Sequence, residues 1–156
     1  MITPIIDESK IHELTNALLR YNNIVITCHV APDGDAIGSS LGLYHFLRRM
    51  GKVATVVVPD MIPRNLHFLP GVKQTIIYTQ QSELAIKAIE NADLLFCLDL
   101  NDAKRMGDMG EAVKASTAEK VMIDHHLNPV MDCALTISHP QICSTSELIF
   151  RIVWQL

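Results

Sequence analysis

Between Asp7 and Tyr21 the apolar residues Ile11, Leu14, Leu18 and Tyr21 recur every three or four positions, which predicts an amphipathic helix. Ile24 to Cys28 (IVITC) is a β-branched run too short for a helix and long enough for a buried strand. Helical spacing returns from Ala36 to Met50 with Ile37, Leu41, Tyr44 and Leu47, and Gly51 stands where a helix C-terminus favours glycine. Val53 to Val58 predicts a second strand, stopped by Pro59. Met61 to Gly71 reads as a loop with one helical turn, and Thr75 to Tyr78 as a weaker strand. Ser82 is then expected to cap a helix running to about Asn91. Leu94 to Leu98 (LLFCL) predicts a buried strand, Asp108 to Ser116 a short helix, and Lys120 to Ile123 another strand. Ser144 and Glu147 have capping-box spacing and open a helix carrying Leu148, Ile149, Ile152 and Val153. Short apolar runs alternating with amphipathic helices predict a parallel sheet covered on both faces. In such sheets ligands bind beyond the carboxyl ends of the strands.

Composition narrows the reading. A chain of 156 residues, 49% hydrophobic and 19% charged, suits one globular domain spanning residues 1–156. The net charge of −4 and the lack of a long basic run argue against non-specific duplex DNA binding. No stretch approaches the ~18 consecutive apolar residues of a membrane helix. The start MITPIIDESK lacks a basic segment leading into an apolar one. Cys28, Cys97, Cys133 and Cys143 form no CxxC pair. A cytoplasmic protein with reduced thiols and no membrane partner is the expectation.

The ends of the expected strands carry the candidate chemistry. The first run ends in His29, followed by Ala31-Pro32-Asp33-Gly34-Asp35. LLFCL ends in Asp99, and Lys120 to Ile123 in Asp124-His125-His126. Singly, these are a respectable turn, a solvated aspartate and a structural histidine pair. Their coincidence at three equivalent strand ends points instead to a metal site. Nitrogen and carboxylate ligands without thiolate suit Mn²⁺, Fe²⁺, Co²⁺ or Mg²⁺. An EF-hand starting at Asp33 would need glutamate where Tyr44 stands, and no GxxxxGK[ST] loop accompanies Asp99.

These segments resemble the DHH phosphoesterase superfamily. His29-Val30-Ala31-Pro32-Asp33-Gly34-Asp35 with Ser39 and Ser40 is similar to its first motif, Leu98-Asp99 to its second, and Asp124-His125-His126 to its naming triplet. Phe68 to Gly71 and Ser144 to Glu147 resemble the branch of short oligoribonucleases and pAp phosphatases. The resemblance implies a three-layer α/β/α DHH domain. It implies two Mn²⁺ ions, with Mg²⁺ or Co²⁺ as substitutes. His29, Asp33 and Asp99 would bind one ion and Asp35, Asp99 and His125 the other, with Asp99 bridging. His126 would contact the substrate phosphate, and Asp124 would orient the histidines. The implied reaction is hydrolysis of short single-stranded RNA or of the 3′-phosphate of pAp by a hydroxide that the two ions make available. No organic cofactor and no covalent enzyme intermediate are implied, and homodimer formation is left open.

Family members continue into a fourth metal-binding motif and a C-terminal DHHA1 domain. This chain stops at Trp154-Gln155-Leu156, so a domain truncated before the fourth motif, and inactive in isolation, is expected. The alternatives are an inorganic pyrophosphatase or exopolyphosphatase of the same superfamily, and a non-catalytic metal- or nucleotide-binding module.

Overall fold

A computed structural model describes residues 3–156. Six strands form one sheet: β1 (Asn23–Thr27), β2 (Val53–Val58), β3 (Ile76–Ile77), β4 (Leu94–Leu98), β5 (Glu119–Asp124) and β6 (Leu135–Ser138). Five helices connect and flank them: α1 (Glu8–Arg20), α2 (Gly34–Arg49), α3 (Ser82–Glu90), α4 (Met109–Ala115) and α5 (Thr145–Gln155). The strand order is β3-β2-β1-β4-β5-β6, and every pair is parallel. No helix among the described residues is long and apolar enough to cross a membrane.

Strand alternation builds the layers. Ile24, Ile26, Leu94, Phe96, Leu98, Val121 and Ile123 face one way and pack with Leu14 and Leu18 of α1, Leu43 and Leu47 of α2, and Leu148 and Ile152 of α5. Val25, Val57, Leu95 and Cys97 face the other way and meet Ala85 and Ile89 of α3 and Met109 and Val113 of α4. Both faces are therefore covered, as near-continuous apolar strands require. The protein is an α/β fold of three layers, as the alternation of runs and helices implies.

The departures are local. β6 has no counterpart among the expected elements, because Leu135-Thr136-Ile137-Ser138 is a four-residue edge strand with only alternate residues buried. The strand expected at Thr75 to Tyr78 shrinks to Ile76–Ile77, and the loop before it holds two 3₁₀ turns, Arg64–Leu66 and Val72–Gln74. Ser82 does not cap α3; Gln81 occupies the cap position and makes no side-chain bond. α2 starts at Gly34 rather than Ala36, because the Asp33 carboxylate accepts the N–H groups of Asp35 (2.9 Å) and Ala36 (3.0 Å). Asp-Gly-Asp is thus the first turn of a helix. Gly51 has φ +80°, the left-handed conformation expected after a helix C-terminus.

Gly110 opens α4 directly against the 3₁₀ turn Ala103–Met106, where an added Cβ would lie 2.6 Å from the Ala103 carbonyl oxygen. Gly110→Ala is expected to destabilise the fold by about 1–3 kcal/mol through overpacking. Thermal unfolding followed by circular dichroism should show a midpoint several degrees lower; an unchanged midpoint would mean that the turn yields freely.

Candidate metal centre

The carboxyl ends of β1, β4 and β5 lie side by side, since β4 pairs with β1 on one flank and β5 on the other. His29 follows β1, Asp99 follows β4, and β5 itself ends in Asp124, ahead of His125 and His126. Asp99 turns the chain sharply off the sheet with φ +58°, and Ala31 (φ +47°) and Asn128 (φ +56°) do the same in the loops following β1 and β5. These are the positive-φ residues other than glycine among the described residues, and all three lie in the connections that leave β1, β4 and β5. Such conformations persist only where the surroundings hold them in place.

Asp99 is the centre. It is 2% exposed, and its two oxygens look in different directions. Oδ2 lies 3.5 Å from His29 Nε2; Oδ1 lies 3.5 Å from His125 Nε2 and 3.8 Å from His126 Nδ1. His29, Asp33 and Asp99 converge as one group of three, and Asp99, His125 and His126 as a second. Asp35 belongs to neither, although its Oδ2 is 3.6 Å from His125 Nε2. Its oxygens accept the N–H groups of Thr145 (2.8 Å) and Ser146 (2.7 Å), which draws the carboxylate to the start of α5. The expected set Asp35-Asp99-His125 is therefore assembled around His125 rather than closed on a point.

The histidines are oriented from behind. His29 Nδ1 is 2.7 Å from the Val30 carbonyl oxygen and His125 Nδ1 is 3.2 Å from that of Ile142. A carbonyl can only accept, so in both rings Nδ1 carries a proton and Nε2 is the nitrogen turned toward the carboxylates. His126 Nδ1 is 2.7 Å from Asp124 Oδ1, and its backbone N–H donates to Asp124 Oδ2 at 3.0 Å. The fully buried Asp124 thus grips His126 alone, and His125 takes its support from Ile142.

This donor set fits a divalent cation. Imidazole nitrogens face carboxylate oxygens at 3.5–4.0 Å, too far to bond each other, as ligands sharing an ion do. His29 and His125 each have their other nitrogen hydrogen-bonded, the usual arrangement behind a metal-ligating imidazole, whereas in His126 the nitrogen nearest Asp99 is itself bonded to Asp124. The local electrostatics agree. Burial alone would push the Asp99 carboxyl up, but His29 and the Thr145 hydroxyl together hold it below the usual carboxylate range. The His29 imidazole is raised by Asp99, against burial and the nearby charge of Arg105.

Two contributors are absent from the set of site residues expected from the sequence. Thr145 is fully buried and donates its hydroxyl to Asp99 Oδ1 at 2.9 Å. Its signals are its place in the Ser144 to Glu147 segment that carries the family resemblance and in the first turn of a capped helix. Arg105 accepts the Val30 N–H on its carbonyl at 2.7 Å, tying the 3₁₀ turn after β4 to the loop that carries His29; no spacing marks it.

The fold and this centre define an α/β protein in which three neighbouring strands bring together imidazole and carboxylate groups that could hold a cation. Residues 23–155 match the DHH family, N-terminal domain. The chain belongs to the DHH family. It is 33% identical over 130 residues to the bifunctional oligoribonuclease and PAP phosphatase NrnA of Thermus thermophilus, covering 83% of this chain and 36% of that protein. The Mycoplasma genitalium protein of the same name is 28% identical over 122 residues, covering 78% and 36%. An exopolyphosphatase-related protein from Bacteroides fragilis superposes with a TM-score of 0.97 at 48% identity, over 99% of this chain and 45% of that one. Exonuclease RecJ bound to manganese superposes with a TM-score of 0.59 at 14% identity, a likeness of fold, over 99% and 38%. The chain thus spans well under half the length of the relatives it matches.

Asp99→Asn keeps the shape of the side chain but gives one oxygen and an NH₂ that cannot ligate a cation. It is expected to weaken Mn²⁺ binding at both groups, whereas Asp33→Asn weakens mainly one. Calorimetric titration of the two variants checks this. Two intact sites in Asp99→Asn would remove Asp99 from the bridge.

Proposed function

We propose that this chain is the cation-binding domain of a manganese-dependent phosphoesterase that hydrolyses short oligoribonucleotides and the 3′-phosphate of pAp. The observation that carries the reading is the Asp99 carboxylate, shared between two groups of imidazole and carboxylate donors. The two relatives named oligoribonuclease and PAP phosphatase support the substrate class.

His29, Asp33 and Asp99 would hold one ion, and Asp35, Asp99 and His125 a second. When bound, such ions supply Lewis acidity toward phosphate oxygens and acidify water near neutral pH. The protein's own residues do the positioning. The packed strand beneath Asp99 fixes the direction of both its oxygens. Val30 and Ile142 hold the imidazoles of His29 and His125 in the tautomer that presents Nε2. The His126 side chain is 36% exposed against 3% for Asp99, so it stands at the mouth of the site where substrate arrives. Because Asp124 occupies Nδ1, any proton that His126 gives to or takes from a phosphate ester moves at Nε2.

A second reading, hydrolysis of polyphosphate or pyrophosphate, is favoured by the identity of 48% to the exopolyphosphatase-related protein. The experiment is Mn²⁺-dependent hydrolysis of pAp, di- to pentaribonucleotides, pyrophosphate and polyphosphate by the protein extended to the length of its relatives. His126→Ala in that protein is expected to lower kcat by about 10²-fold or more while Mn²⁺ affinity stays near wild type. Turnover of polyphosphate alone would select the second reading. Loss of manganese together with activity would make His126 a ligand.

A further inference from the structure

The two donor groups are supported by different parts of the chain. His29 is oriented by the carbonyl of its neighbour Val30, and Asp33 accepts the N–H groups of the first turn of α2. The side-chain hydrogen bonds of these two are local to the loop after β1 and the first turn of α2, and the remote support of that loop comes from the Arg105 carbonyl, not from α5.

The other group depends on one remote segment, Ile142 to Ser146, at the start of α5. The Ile142 carbonyl faces His125 Nδ1 at 3.2 Å. The Thr145 hydroxyl donates to Asp99 Oδ1 at 2.9 Å, and Oδ1 is the oxygen turned toward His125. The N–H groups of Thr145 and Ser146 donate to the two oxygens of Asp35. Three residues of this segment, Ile142, Thr145 and Ser146, thus reach all three members of the Asp35-Asp99-His125 set, and none of these bonds goes to His29 or Asp33.

The segment is also firmly seated. The Ser144 hydroxyl accepts the Glu147 N–H at 3.1 Å and fixes the helix start. The Ser146 hydroxyl donates to the Asp35 carbonyl at 3.2 Å, and Gly38 of α2 leaves the room, since a Cβ there would lie 3.1 Å from that hydroxyl. A carboxylate has about four lone-pair positions, so each bonded oxygen of Asp35 and Asp99 keeps one for a cation. The hydrogen bonds therefore aim these oxygens without consuming them.

We propose that Thr145 is a positioning residue that sets the affinity of the cation at Asp99 and His125 separately from that of the cation at His29 and Asp33. This rests on the metal reading of the site given above. Groups behind metal ligands typically change affinity by 10–100-fold when removed. Here the change is confined to one of two ions that share a ligand.

The test is Mn²⁺ titration of the 156-residue chain by calorimetry, with electron paramagnetic resonance reporting the spin-coupled pair. Thr145→Ala and Thr145→Ser both lose the buried methyl group, so comparing them isolates the hydroxyl. Thr145→Ala is expected to weaken one Mn²⁺ site by about 10–100-fold, leave the other within a few-fold, and lose the coupled signal. Thr145→Ser should restore both. Thr145→Val serves if the alanine variant does not fold, judged by helical circular dichroism and melting in chelator. A purely structural role would shift the melting point without a site-selective loss that serine rescues. Equal weakening of both sites, or wild-type binding by the alanine variant, overturns the proposal. A wild-type chain that takes up no manganese overturns the metal reading itself, which distinguishes the two failures.

Discussion

A carboxylate that is 2% exposed is the constraint on which this molecule turns. An unpaired buried charge costs several kcal/mol, so Asp99 is tolerable only where opposite charge and donors surround it. They come from the ends of β1 and β5 and from the start of α5. That requirement demands β4 between β1 and β5, the central order of the sheet. It also explains why the backbone at Asp99 accepts a left-handed conformation: the surrounding donors outweigh a local cost on the order of 1–3 kcal/mol.

The same arrangement shows what a strand end can do that a loop cannot. Leu98, Cys97 and Phe96 are fully buried between flanking strands and two helical layers, so the residue that follows inherits a fixed direction. The histidines are then aimed by main-chain carbonyls and by Asp124, groups whose positions belong to the fold. Under the proposed metal reading, a cation entering this site would meet ligands already turned toward it.

Much of this is legible in the sequence, for identifiable reasons. Val53 to Val58 and Leu94 to Leu98 are bounded by Pro59 and Asp99 and almost wholly apolar, so burial on both faces writes them plainly. The strand-end histidines and carboxylates fall where the fold class places ligands. What hid was whatever depends on partners distant in the chain. Leu135 to Ser138 becomes a strand only because β5 lies ready to pair with it. Asp33-Gly34-Asp35 has the composition of a turn, and it is the Asp33 carboxylate accepting two N–H groups that makes it a helix start. Thr145 looks like any first-turn threonine until the fold sets it beside Asp99. Local chemistry is readable from spacing; long-range hydrogen bonds are not.

The pairing of Ile24 with Leu94 has a kinetic consequence. β1 is made early, yet its second neighbour is separated from it by two strands and two helices, so the central register closes only after a long loop has been gathered. Until then His29 has no Asp99 to face. A one-residue slip of β4 would send its side chains to the opposite face of the sheet and misdirect the carboxylate that follows. On the metal reading proposed above, capture of an ion across β1, β4 and β5 would favour chains that have inserted β4 in register, so that the ligand would help select the topology that creates its own site.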